Sequence, residues 1–128
     1  SLIRGLDPER HLQLGEALRP LLEGNVLIIG SGFSFHNMAA FSWRPSTAPD
    51  PANDDFQNWL IKATTHADYA DTRRALLNWA QAPSARYCHP REEHLLPLMV
   101  CAGLAQTPAQ VLFDDFILGK RGLAFGWE

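Results

Sequence analysis

The sequence predicts an α/β fold in which a central sheet is flanked by helices. Three observations carry that prediction. Apolar residues recur at helical spacing from Asp7 to Gly24. The run Asn25–Ile29, "NVLII", is short, rich in β-branched side chains and apolar on both faces, as a strand in the middle of such a sheet would be. Near the chain's end "QVLFDDFIL" and "LAFGWE" flank "GKRG" and read as two strands joined by a tight turn.

Taken in order, Asp7 and Pro8 supply an N-cap and a first helical position. Leu14, Ala17, Leu18, Leu21 and Leu22 then recur on one side until Gly24 stops the helix. The strand "NVLII" leads into "IIGSGFSFHNM", where Gly30 and Gly32 let the backbone turn around His36. After Met38 the stretch "SWRPSTAPDPAND" carries Pro45, Pro49 and Pro51 and is expected to lie as an extended surface loop that shapes a pocket. Asn53 or Asp54 caps a helix with Phe56, Trp59, Leu60 and Ala63 on one face. A further helix over Tyr69–Ala80 turns Leu76 and Trp79 inward and Arg73 and Arg74 toward solvent. The next helix is expected to begin at Pro90 and end at Gly103, with a kink at Pro97 beside Glu93 and His94.

Of the 128 residues 46% are hydrophobic and 20% charged, the balance of one ordinary domain with its own core. A formal net charge of -3 and a pI near 5.9 give no general attraction to phosphate backbones or anionic lipid, so neither nucleic acid nor membrane is an expected partner. No apolar run approaches the roughly 20 residues of a bilayer span, and "SLIRGLDPER" lacks the apolar centre of a signal peptide. A cytoplasmic location with reduced Cys88 and Cys101 is expected.

The glycine turn admits two chemistries. As a phosphate cradle it is a poor match: a dinucleotide fingerprint wants glycine where Phe35 stands, and the Gly-Lys-Ser/Thr ending of a P-loop is missing. As a mount for a reactive imidazole it fits better, because a strand end is a rigid place to hold His36 facing the crevice of an α/β sheet. The second constellation is "HPREEH", His89 to His94, whose imidazoles and carboxylates suit divalent iron or zinc. Its spacing is not that of HExxH, Glu92 and Glu93 also suit a helix N-terminus, and His89 also reads as a cap. His94 shares a face with Leu98 and Cys101 and reads equally as a core histidine or a ligand.

Together "VLIIGSGFSFHNM", "HPREEHLLPL" and "VLFDDFILGKRGLAF", with the helix "FQNWL" between the histidine motifs, resemble the C-terminal half of 4,5-DOPA extradiol dioxygenase-like proteins. These belong to the superfamily of the protocatechuate 4,5-dioxygenase catalytic subunit. The resemblance implies that residues 1–128 are the C-terminal portion of a larger α/β catalytic domain. It implies a non-haem Fe(II) enzyme, with zinc held by some members, that opens a catecholic ring with O2. His36 matches the acid–base or additional metal-ligating histidine of the glycine turn, and His94 the metal ligand of "EHLLPL". Glu93 is the fallback ligand, and Asn37 orients the turn or touches substrate. Two further family histidines, in an "SHGSP"-like and an "HW"-type motif, have no counterpart, and His11 and His66 match neither. The expectation is therefore a chain inactive alone, which needs a missing N-terminal half or a partner chain; a homo-oligomer is compatible with it. The alternative is a non-catalytic binding or scaffold protein that keeps the fold.

Overall fold

A computed structural model describes residues 2–44 and 46–128; Pro45 of the proline-rich loop lies outside them. The chain is α/β, with five helices and one antiparallel hairpin among the described residues.

Helix α1, Pro8–Leu18, opens as expected on Asp7, whose carboxylate accepts the Glu9 N–H. It stops earlier than its apolar pattern suggests. Pro20 has no N–H to continue the ladder, and Arg19–Gly24 tightens into a 3-10 turn that leaves Leu21 and Leu22 exposed.

The following segment departs most from expectation. Val26–Ile29 forms no strand: Leu27 is 83% and Ile29 78% exposed, and no ladder joins them to any described residue. A strand apolar on both faces needs neighbours along both edges, and the described residues offer none.

Helix α2, Pro51–Thr64, is capped by Asp50 rather than by Asn53 or Asp54, which puts Pro51 inside the first turn instead of in the loop. Its face of Phe56, Leu60 and Ala63 is buried, with Trp59 packed beside it. Helix α3, Tyr69–Leu77, ends before Ala80 in a 3-10 turn, yet Leu76 and Trp79 both reach the core. Arg73 is not free in solvent; its guanidinium pairs with Glu9 and Glu16 and ties α3 to α1. Arg74 stays largely exposed.

A short helix α4, Ala85–Cys88, precedes "HPREEH", which is a series of turns and not the start of a long helix. Helix α5 spans Leu96–Ala105, so Pro97 opens a helix instead of kinking one and gives up no hydrogen bond. Gly103 lies inside α5 rather than at its end. A Cβ there would overlap the Leu12 carbonyl, and one at Gly15 would overlap that of Val100, so α1 and α5 cross backbone against backbone.

Strands β1, Gln110–Ile117, and β2, Lys120–Gly126, pair antiparallel with a bulge at Leu112. Their turn is Leu118–Gly119, both at positive φ, so "GKRG" contributes only its first glycine to it. The core gathers Leu12, Phe35, Phe56, Leu60, Leu76, Leu95, Leu96 and Met99. Cys88 and Cys101 are both free thiols. No helix among the described residues is long and apolar enough to cross a membrane.

Candidate active site

The site is built where residues 30–36 run against the turn that precedes α5. Gly30 and Gly32 serve close approach here, not a sharp turn. A Cβ on Gly30 would stand 2.8 Å from the Pro97 carbonyl, and one on Gly32 would collide with that of His94. With no side chains in the way, Phe33 N–H donates to His94 O at 2.9 Å. Three residues later His36 lies flat on His94, ring centroids 3.4 Å apart and planes inclined by 17°. Two histidines 58 positions apart in the sequence are thus in van der Waals contact.

Each partner is held from behind. His36 N–H donates to Cys88 O at 2.8 Å, while the fully buried Phe35 meets Phe41 and Tyr87 edge-on. Asn37 uses both ends of its carboxamide: Nδ2 donates to Tyr87 O at 2.9 Å and Oδ1 accepts the Ala39 N–H at 3.2 Å. Those two bonds orient the turn. His94 sits in the tight turn closed by Leu95 and Leu96 N–H donating to Glu92 O.

The His36 pKa is held below that of an ordinary imidazole, first by burial and then by the His94 ring; nearby Glu93 opposes the shift. Glu93 itself pairs with Arg91 at 3.3 Å. His94 borders an apolar groove of about 590 Å³ whose walls include Ile28, Leu98, Cys101, Phe125 and Trp127. His94 lies in the turn before α5 and so shares no helix face with Leu98 and Cys101 as expected; the three line one groove instead, and His94 is only half-buried.

In kind, this donor set fits divalent iron or zinc: two imidazoles, one kept neutral by its surroundings, at the rim of an apolar cleft. In number it is half a ligand set, because no group of three or more His, Cys, Asp or Glu comes together among the described residues. His11 is accounted for structurally, with Nδ1 bonded to Asp7 O and Nε2 accepting the Ile3 N–H. His66 is exposed.

The profile of a family described as "Catalytic LigB subunit of aromatic ring-opening dioxygenase" matches residues 2–117. The chain belongs to the LigB family. Relatives of this LigB chain include dioxygenase tasH from Hapsidospora irregularis, 34% identical over 99% of this chain and 42% of that protein. The 4,5-DOPA dioxygenase extradiol of Portulaca grandiflora is 34% identical over 97% of this chain and 45% of its own length, and that of Beta vulgaris 36% identical over 78% and 36%. The crystal structure of the uncharacterized protein JW3007 from Escherichia coli K12 superposes with a TM-score of 0.79 at 21% identity, covering 91% of the LigB chain and 48% of its own. The LigB chain spans less than half the length of each of these proteins.

Sequence reasoning missed the residues behind the pair. His89, which reads as a member of the ligand constellation or as a cap, is completely buried with Nε2 on the Ser34 carbonyl at 2.8 Å. Gln57 Nε2 donates to the same oxygen at 3.0 Å. Polar residues at buried positions of an apolar helix face, such as Asn53 and Gln57 beside Phe56 and Leu60, were the available signal.

Proposed function

We propose that this chain forms one wall of the active site of a metal-dependent extradiol dioxygenase that opens a catecholic ring with O2. The observation that carries the reading is the His36–His94 stack, which unites the two histidine motifs of a LigB-family chain beside an apolar groove. His94 would ligate Fe(II), or Zn(II) in its place, with His36 as a neighbouring ligand or acid–base group and Glu93 as the substitute carboxylate. When bound, the metal would hold catechol hydroxyls and O2 side by side and let electron density pass between them. Catechol and O2 together contain every atom of the ring-opened product, so no external electron donor is needed.

The chain's own residues would handle protons and orientation. His36, neutral at neutral pH because its pKa is lowered, accepts a catechol hydroxyl proton at a ring nitrogen and returns it later. Asn37 fixes the turn that aims it. Phe41, whose ring centroid is 6.3 Å from that of His36, offers an apolar surface to an aromatic substrate. Two protein ligands hold a catalytic ion weakly, so the remaining ligands come from outside this chain. The same missing portion, or a partner chain, would supply strands beside Val26–Ile29 and close the groove.

The test is O2 uptake with catechol after anaerobic loading with Fe(II), run on the 128-residue chain and on a longer protein carrying the remainder of the relatives' length. Uptake with formation of ring-opened product is expected from the longer protein alone, and His36→Ala should lower it by about 10²- to 10⁴-fold. Turnover by the short chain, or a normal rate in His36→Ala, refutes the assignment. Metal binding without turnover in the longer protein would support the scaffold alternative.

A further inference from the structure

His89 is a buried histidine with one polar contact. Its ring is enclosed, with Phe56 at 5.4 Å and Trp79 at 6.1 Å between centroids, both edge-on. Because a carbonyl oxygen only accepts, the bond to Ser34 O fixes the proton on Nε2. Nδ1 is then a bare acceptor, and no donor reaches it. The cost of burying an unpartnered acceptor offsets what an ordinary hydrogen bond contributes. The His89–Ser34 bond therefore contributes little to net stability, and a leucine would fill the same space without the orphaned atom.

What the bond does is geometric. The Ser34 carbonyl takes two donors, His89 Nε2 at 2.8 Å and Gln57 Nε2 at 3.0 Å, which occupy both of its lone pairs. The Ser34 hydroxyl meanwhile accepts the Leu123 N–H at 2.7 Å. One residue before His89, the Cys88 carbonyl accepts the His36 N–H. The dipeptide Cys88–His89 thus grips the chain on both sides of Phe35, at Ser34 by a side chain and at His36 by the backbone. His89 is itself anchored by its N–H to Ala85 O at 2.8 Å.

We infer that His89 is a positioning residue: with Gln57 it clamps the Ser34 carbonyl and so sets the plane in which the His36 ring meets His94. The inference rests on the reading of His36 and His94 as a functional pair, but its deciding readout, the ring stacking, needs neither metal nor turnover.

The experiment compares the wild-type 128-residue chain with His89→Leu, His89→Gln and Gln57→Leu by thermal unfolding and by imidazole NMR of His36 and His94. Stacked rings give a ring-to-ring nuclear Overhauser effect and mutual upfield shifts. His89→Leu should melt close to wild type yet lose both signals. His89→Gln, whose terminal amide nitrogen can stand where ring Nε2 stood, should regain them. Zn(II) affinity should follow, about tenfold weaker in His89→Leu. A folded His89→Leu that keeps the stacking signals overturns the inference. Should His89→Leu fail to fold, Gln57→Leu decides: weakened stacking supports the clamp and unchanged stacking overturns it. Failure of the wild-type chain to bind Zn(II) at the pair would count against the metal-site reading and leave the stacking result to stand by itself.

Discussion

Gly32→Ala tests whether close approach of two backbones creates the histidine pair. A methyl group on Gly32 would fall on the His94 carbonyl, well inside the 3.4 Å at which ordinary contact begins, with Pro97 Cγ at 3.3 Å blocking a sideways escape. The obstructing atom is main chain, held in the turn by the Glu92 carbonyl, so it cannot swing away as a side-chain end would. The extended segment must therefore retreat from α5 by about an ångström, at an overpacking cost of about 1–3 kcal/mol. Retreat also stretches the Phe33–His94 hydrogen bond, worth about 1 kcal/mol. A combined loss of about 3 kcal/mol corresponds to a fall in melting temperature of about 10 °C for a domain of this size. Thermal unfolding by circular dichroism reads the stability, and the NMR contact between the His36 and His94 rings reads the geometry. Gly24→Ala is the control, since its nearest neighbour would be Val26 Cγ2 at 3.7 Å. If Gly32→Ala melts with the control and keeps the ring contact, the glycines do not serve close approach.

Three further outcomes are expected. Burial lowers the His89 pKa from 6.5 to about 4, so the unfolded chain binds a proton there that the folded chain refuses. The resulting stability is fully present above pH 6.5 and is lost as pH falls to about 4, by about 3 kcal/mol, which urea titrations at stepped pH would detect and His89→Leu would abolish. Burial, with Asp50 adding to it, pushes the Cys88 thiol up to about 12, and burial raises that of Cys101 as well. The Cys88 thiol should not react with an aromatic disulfide at pH 8 until denaturant is added, and its rapid labelling in the native chain would contradict its burial. Replacing Leu27 and Ile29 together by serine should change the melting temperature of this chain little, within about 0.5 kcal/mol each, because both are exposed. The same double change in a longer protein that covers them should cost several times more, and equal effects in both would refute the covering role.

How much of this was readable in the residues depended on where the deciding neighbour lay. The buried face of α2, the inward Leu76 and Trp79 and the terminal hairpin follow from local periodicity, and periodicity reports them correctly. Pro97 was misread because a proline early in a helix and one in the middle differ only by where the helix starts, and the turns over 92–95 that set the start carry no periodic signal. The glycines of "GSG" stand out in the sequence, but what requires them is the backbone of His94 and Pro97, more than sixty positions away. His89 was undervalued for the same cause: its partner is a main-chain oxygen 55 residues earlier, which no spacing rule encodes.

Val26–Ile29 extends that reasoning beyond the described residues. Its composition is that of a strand covered on both faces, yet here its side chains meet solvent, while the pair proposed as ligands, His36 and His94, falls short of the three or more protein groups that a catalytic ion takes. The two deficits share one border, because Ile28 and His94 line the same groove. A single added element running along that groove would place backbone against the bare segment and side chains beside the two imidazoles. Sheet completion and site completion would then be one event, and on the proposed function the extent of ring cleavage should rise in step with burial of Leu27 and Ile29.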